Sequence, residues 1–195
     1  MKNIENFEKL IKFLHEIEPI KYKLRFGSSK NKLNESIAAH SWKLAIMVFV
    51  FTEELNLKLN ILKSMKLALI HDVVDVDARR IVKKEMSEKE KNSLEEKEII
   101  RLSKTLPEIK NLWREYKNGL TQEAKYVQAL AKLETLMHII DTGYQTYNMP
   151  EMIPNYADNY VNKFPQLAPV LKELKLDLKK EFKKGKIPWK KEYDA

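Results

Sequence analysis

Apolar residues recur at intervals of three and four along most of the chain, the spacing that places side chains on one face of an α-helix. The alternation of apolar and polar residues that is typical of a half-buried strand does not compete with this pattern over any convincing length. The periodic segments predict helices over residues 4–17, 36–55, 60–75, 88–104, 108–117, 121–142 and 166–183. The sequence therefore predicts an all-α protein.

Several of the predicted boundaries coincide with residues that begin or end helices. Asn34 or Ser36 suits the N-cap of the second helix, because a short polar side chain there accepts a hydrogen bond from the first turn. Pro107 suits the start of the fifth helix. Gly119 followed by Thr121 indicates the end of one helix and the N-cap of the next.

The composition favours a single domain. The chain has 195 residues, of which 44% are apolar, and only four glycines, which disfavours turn-rich β architectures. No linker-like stretch divides it. We expect one domain over residues 1–195, with a helical core at about 4–142 and an irregular segment and helix over 143–195. The irregular part is the proline-containing stretch at 148–165.

The charge and the missing cysteines narrow the classes of ligand. Without cysteine, disulfides and thiolate ligands are excluded, which suits a reducing cytoplasm. No run approaches the roughly 18 apolar residues of a membrane span, so we expect no membrane association. The net charge of +8 would attract an anion. The basic tail at 172–194 lacks interleaved basic and aromatic residues, so a solvated surface helix is favoured there over a nucleic-acid site.

Two histidines and an aspartate lie within apolar helical patterns. His40 shares a helical face with Ile37 and Leu44, and His71-Asp72 follows it by 31 residues at the end of another apolar run. Buried charged groups are usually paired or bound to metal. The spacing permits two interpretations: a metal site built from imidazole and carboxylate, or core histidines satisfied by hydrogen bonds. The spacing alone favours the second.

Five stretches of the chain carry a family pattern: KYKLRFG at 21–27, ESIAAHSWKLA at 35–45, KLALIHDVVDVDA at 66–78, EIIRLSKTLPEIKNLWREY at 98–116 and EAKYVQALAKLETLMH at 123–138. Together they resemble the HD superfamily of metal-dependent phosphohydrolases, and in particular its small 5'-deoxynucleotidase-like branch. This resemblance implies a single helical HD domain that hydrolyses a nucleoside monophosphate or a similar small phosphate ester. It also implies a divalent metal, which would be Mn, Co, Fe, Mg or Zn.

The resemblance assigns roles to individual residues. His40, His71 and Asp72 would be metal ligands, and Asp75 would handle the proton of the attacking water. Arg25 would bind the substrate phosphate, a task that suits its planar fork of donors. Further substrate contacts are expected from residues near this arginine and after the His-Asp pair, namely Phe26, Arg79 and Arg80. Phe26, Trp42 and Trp113 offer rings for stacking on a base, although aromatic residues in helical phase are more often core.

The chain departs from the family pattern at the metal site. The family's fourth ligand, an aspartate, is replaced by Ala131, and the acidic residue before the first histidine is replaced by Ala39. The family has a glutamate three positions after the His-Asp pair, and this chain has the shorter Asp75 there. Arg80 occupies a position where the family has an acidic residue. Glu134 lies one turn after Ala131, so its longer side chain could reach the ion as a substitute ligand. The changes predict a more basic site with doubtful metal occupancy.

Three functions therefore remain open at this point. The first is a metal-dependent phosphohydrolase impaired by the loss of one ligand. The second is a catalytically degenerate HD protein that binds a nucleotide or another anion without metal through Arg25, Arg79 and Arg80. The third is a structural or interaction protein with a hydrogen-bonded histidine cluster. The sequence slightly favours the enzyme, and the apolar surplus along 36–55 and 121–142 permits a homodimer.

Overall fold

The computed structural model of the protein describes residues 4–25, 35–76 and 87–194. Within these ranges the chain is helical, and its β-structure is limited to one isolated bridge. The helices are α1 (Ile4–Ile17), α2 (Ile37–Glu54), α3 (Ile61–Ile70), α4 (Glu88–Ser103), α5 (Glu108–Asn118), α6 (Gln122–Thr142), α7 (Asp158–Val161) and α8 (Ala168–Lys184). The prediction of an all-α protein is confirmed.

Most helix ends lie within two residues of the predicted ones, and the capping residues explain why. The Ser36 side chain accepts a hydrogen bond from the first turn of α2, whereas Asn34 lies outside the described residues. Thr121 caps α6 in the same way. Gly119 ends α5 with a φ of 58°, a left-handed conformation that costs glycine little because it has no Cβ.

The third helix is shorter than predicted. α3 ends at Ile70, and the chain turns before a short 3-10 helix at Val73–Val76. The Nδ1 atom of His71 donates a hydrogen bond of 2.8 Å to the backbone carbonyl of Ala68, so a side chain occupies an acceptor of the last helical turn. The β-branched valines that follow also propagate a helix poorly. The turn leaves His71 and Asp72 at the end of α3.

The buried apolar residues form two clusters that meet near this turn. One joins α2, α3, α6 and α8, and the other joins α1, α4, α5 and the 3-10 helix. Ala68 belongs to the first cluster and Val73 to the second, so the chain passes between them at the His-Asp pair. α6 is the central element of the first cluster and also carries the fully buried Glu134.

The C-terminal part of the chain packs against α6. Residues 148–165 form short 3-10 turns and α7, which agrees with the predicted irregular segment. α8 buries Leu171, Leu178 and Phe182, as expected of a surface helix packed on one face. None of the helices in the described ranges combines the length and the apolar character that crossing a membrane would require.

Candidate metal centre

The start of α2 is joined to the segment that ends at Arg25 by backbone and side-chain contacts. Leu24 and Ser36 form the antiparallel bridge, and the Arg25 amide donates a hydrogen bond of 2.9 Å to the carbonyl of Glu35. The Arg25 Nη1 atom also lies 2.8 Å from Glu35 Oε2. Arg25 is thereby fixed beside the first turn of the helix that carries His40.

His40 is fully buried between two helices and uses its two ring nitrogens differently. Its Nδ1 atom donates a hydrogen bond to Glu134 Oε2 on α6, because a carboxylate oxygen can only accept. Its Nε2 atom faces Nε2 of His71 at 3.2 Å. Burial, followed by the nearby Arg25 charge, lowers the pKa of His40 to about 2 and keeps its imidazole neutral. The Nε2 atom of His40 therefore presents a lone pair.

His71 has the same arrangement at the end of α3. Its Nδ1 proton is donated to the carbonyl of Ala68, and its Nε2 atom lies 3.1 Å from Asp72 Oδ2. Two imidazole Nε2 atoms and one carboxylate oxygen therefore converge, and each is an acceptor when both rings are neutral. A positive charge placed among these three acceptors would stabilise the group. The ligand atoms of His40, His71 and Asp72 all lie within 4.8 Å of one another, a separation that suits a shared ion.

Asp72 is ionised in this setting. Burial of the carboxyl acts in the opposite direction, but the charge and hydrogen bond of His71 and the charge of Arg25 together hold its pKa well below the usual range. The Arg25 Nε atom lies 3.6 Å from Asp72 Oδ2. Asp72 thus supplies a permanent negative charge at the open end of the group.

Arg25 is held on the inner side of the group by buried acceptors. Its guanidinium contacts Glu35, lies 3.3 Å from Thr135 Oγ1 through both Nη1 and Nη2, and has Nη1 at 3.8 Å from Glu134 Oε2. These contacts and the ion pair with Asp72 occupy most of its donor fork. In the structure it stabilises the carboxylates that surround the histidines.

Glu134 is also fixed within this network. Lys43 Nζ lies 3.5 Å from Glu134 Oε1, an oxygen that is buried and accepts no hydrogen bond within the described residues. Because Glu134 Oε2 contacts Nδ1 of His40, the carboxylate lies on the far side of the ring from His71. The structure therefore does not bring Glu134 to the three converging acceptors, and its position is that of a group that orients His40.

The open side of the group faces a polar cavity of about 580 Å³. His71 and Asp72 line it from the end of α3, and Asp75 lines it from the following 3-10 helix. Tyr116 of α5 closes one wall, with its ring centroid 5.2 Å from that of His71. Burial, and then the charge of Asp72, raise the pKa of Tyr116 well above its usual value, so it stays a phenol. We call this space the polar cavity.

The other residues singled out in the sequence lie in different environments. Trp113 is 3% exposed, consistent with a core residue that also borders the polar cavity. The prediction that Trp42 is a core residue is wrong, because it is 65% exposed and lines a different groove, while its stacking on a base stays a prediction. Ala39 is exposed, whereas Ala131 is buried one turn before Glu134. The predicted substrate contacts Phe26, Arg79 and Arg80 lie outside the described residues.

Sequence reasoning missed four residues that complete the site. Glu35 and Thr135 hold Arg25, Tyr116 covers His71, and Lys132 lines the polar cavity beside position 131. All four lie within the stretches that resemble the family, but periodicity gives no reason to single them out. They become visible only when α5 and α6 are placed against α2 and α3.

The chain was compared with known protein families and curated proteins. A family model described as HD domain matches residues 17–166. A 5'-deoxynucleotidase HDDC2 from Xenopus laevis is 29% identical over 113 residues, which is 55% of this chain and 55% of that protein. The 5'-deoxynucleotidase HDDC2 from Homo sapiens is 27% identical over 136 residues, covering 66% of this chain and 65% of the relative. The chain thus spans about half to two thirds of these relatives' length.

Solved structures with the same fold were also found. A protein from Magnetospirillum magnetotacticum MS-1, named as a predicted metal-dependent phosphohydrolase, superposes with a TM-score of 0.74 at 24% identity and covers 94% of this chain and 99% of its own. The PH0347 protein from Pyrococcus horikoshii OT3 superposes with a TM-score of 0.68 at 21% identity, covering 86% and 99% of the two chains. These likenesses establish the fold.

Proposed function

Because the chain belongs to the HD domain family, we propose that it is a divalent-metal-dependent phosphohydrolase that acts on a nucleoside 5'-monophosphate. The predicted HD-type helical fold is confirmed by the family match. The observation that carries the proposal is the convergence of three acceptors, His40 Nε2, His71 Nε2 and Asp72 Oδ2, at the edge of a polar cavity. The names of the relatives support the substrate class.

The residues present fit a divalent ion. His40 and His71 would offer Nε2, because Glu134 and the Ala68 carbonyl hold both Nδ1 protons, and Asp72 would offer a carboxylate oxygen. Such an ion polarises a phosphoryl oxygen and lowers the pKa of a bound water. With Ala131 in place of an aspartate, the chain supplies three ligands from these helices, which lowers the affinity and leaves more positions for water and substrate.

Asp75 is the proposed base. It lies three residues after Asp72 on the 3-10 helix and lines the same cavity, so its carboxylate can take the proton of the attacking water. Arg25 has partners within the site itself. It is not among the residues that line the described part of the cavity, and its donors are directed to Glu35, Thr135 and Asp72. We assign it the positioning of Asp72, while direct contact with the phosphate stays a prediction.

Metal binding and phosphate release test this proposal together. Chelator-treated protein should bind Mn²⁺ or Co²⁺ at one ion per chain in calorimetry and then release phosphate from deoxyadenosine 5'-monophosphate. His71→Ala should abolish both. Metal-independent nucleotide binding without hydrolysis would instead support the degenerate HD protein. Absence of any saturable metal binding at millimolar concentration would overturn the enzyme and leave a proton-bridged cluster.

Several sequence predictions stay predictions alongside this function. They are the domain limits, the cytoplasmic location, the homodimer and the identity of the metal.

A further inference from the structure

The polar cavity contains one lysine that differs from the others. Lys132 follows Ala131 on α6 and lines the cavity together with His71 and Asp72. Its Nζ atom lies 3.2 Å from the Tyr156 hydroxyl and 4.8 and 4.9 Å from the ring centroids of Tyr156 and Tyr160. These are cation-π distances. Aromatic groups therefore hold this ammonium in place.

Lys132 keeps its positive charge available to the cavity. Among the described residues, no carboxylate lies within ion-pairing distance of its Nζ atom. An ammonium has three donors, and the hydroxyl of Tyr156 accounts for one of them. The remaining donors are available to an anion.

The neighbouring lysines of the cavity are both paired with a carboxylate. Lys117 Nζ contacts a carboxylate oxygen of Glu95 and lies 2.7 Å from Asn92 Oδ1. Lys91 Nζ lies 3.8 Å from the other oxygen of Glu95. Both lysines line the same cavity, but their charge is shared with a buried carboxylate. Lys132 is thus the lysine of the described cavity wall that has no carboxylate partner within the described residues.

The position of Lys132 connects it to the metal centre. Tyr116 and Tyr160 line the same cavity as Asp72, so the ring of Tyr160 that holds Lys132 belongs to the wall that includes Asp72. Arg25, a second cation near the site, is engaged by Glu35, Thr135 and Asp72. Of these two cations, Lys132 lines the cavity and Arg25 does not, so Lys132 is the one placed to meet a phosphate in the cavity.

We infer that Lys132, held by Tyr156 and Tyr160, is the phosphate-recognition residue of the polar cavity. This inference rests on the proposed function for the identity of the anion, a nucleoside monophosphate. It assigns to Lys132 a specificity role: selection of the phosphorylated nucleoside over the free nucleoside. The ammonium contributes charge-assisted hydrogen bonds to phosphate oxygens.

Binding in the presence of chelator tests the inference without requiring hydrolysis. Calorimetry would compare deoxyadenosine 5'-monophosphate with deoxyadenosine on the wild-type chain, Lys132→Met, Lys132→Arg and Lys125→Met. The last variant removes the same charge from α6 at a residue outside the cavity lining. The wild type should prefer the monophosphate by about tenfold. Lys132→Met should lose this preference, whereas Lys132→Arg and Lys125→Met should keep most of it.

A preference for the monophosphate that survives in Lys132→Met would overturn the inference, as would a wild type without any preference. With metal present, Lys132→Met should raise KM for the monophosphate while the Mn²⁺ affinity of the substrate-free protein stays unchanged. A wild type that binds the monophosphate through Lys132 but releases no phosphate would refute the proposed function and leave the role of Lys132 intact.

Discussion

Two cavities share α5 and the segment that follows α3 as parts of their walls, and they differ in chemistry. The larger, of about 1000 Å³, is an apolar groove lined by Phe13 of α1, Trp42 of α2 and Leu69 of α3. The polar cavity, of about 580 Å³, is lined by His71, Asp72 and other polar residues. Size alone would select the groove as the functional site, whereas the arrangement of acceptors selects the cavity.

Neighbouring residues of one segment separate the two environments. Ile70 and Val73 line the groove, while His71 and Asp72 between them line the cavity. On α5, Ile109 and Leu112 line the groove, whereas Trp113 and Tyr116 line the cavity. This division follows helical geometry, because a rotation of about 100° per residue sets Ile70 and Val73 on one face and His71 and Asp72 on the other. What the end of α3 adds is the hydrogen bond from His71 Nδ1 to the Ala68 carbonyl, which fixes the orientation of the ring.

The first prediction removes a proposed metal ligand from the polar cavity. Asp72→Ala removes the carboxylate from the group of acceptors, leaves two imidazoles for an ion, and frees Arg25 from one of its partners. We expect loss of metal binding in calorimetry and loss of metal-stimulated phosphate release, the largest effect of the series. Asp72→Asn should also fail, since it restores the size of the side chain but not its charge. Retained metal-dependent activity in either variant would show that the polar cavity is not the active site.

The second prediction concerns the residue that orients His40 from α6. Glu134→Ala removes the acceptor of the His40 Nδ1 proton, so the ring loses its fixed orientation and tautomer. Metal affinity should fall by about 10- to 100-fold, the usual effect of removing the group that orients a ligand. Glu134→Gln keeps an acceptor oxygen, so its metal affinity should fall less. Equal losses in the two variants would indicate that the charge of Glu134, rather than its hydrogen bond, matters.

The third prediction sharpens the comparison by adding a ligand. Ala131 is buried one turn before Glu134, on the helix face that meets His40, and we expect Ala131→Asp to direct a carboxylate toward the three acceptors. Without metal, the buried charge should lower Tm. With saturating Mn²⁺, the variant should bind the ion about tenfold more tightly and gain stability through that binding. Thermal melts with and without metal check whether the change in Tm relative to the wild type reverses its sign.

Ala131→Asn is the matched control for that experiment, because it has the same shape without the charge. It should lower Tm in both conditions. If Ala131→Asp also lowers Tm in both, residue 131 does not face the acceptors, and the three-ligand arrangement is the full contribution of these helices.

The fold was more predictable from the sequence than the connections of the site. Helical periodicity and the caps at Ser36 and Thr121 placed most elements, since these signals are local. The convergence of His40 with His71 also followed from their inward-facing positions. The end of α3 was missed because it depends on a side chain, His71, that binds a backbone carbonyl. The contacts of Arg25 with Thr135, 110 residues away, have no local signal at all.

The last prediction tests the groove and has the smallest expected effect. Trp42 is 65% exposed and lies among apolar residues of the groove, so Trp42→Ala removes little buried surface. We expect the free energy of unfolding to change by at most about 0.5 kcal/mol and phosphate release to stay within about twofold of the wild type. Denaturant unfolding and kinetics with deoxyadenosine 5'-monophosphate measure both. A large rise in KM for this substrate would place the base in the groove. It would contradict the proposal that the polar cavity alone binds the nucleotide. The exposed indole on α2 therefore gives the most economical check that the smaller, polar cavity is the one that binds the nucleotide.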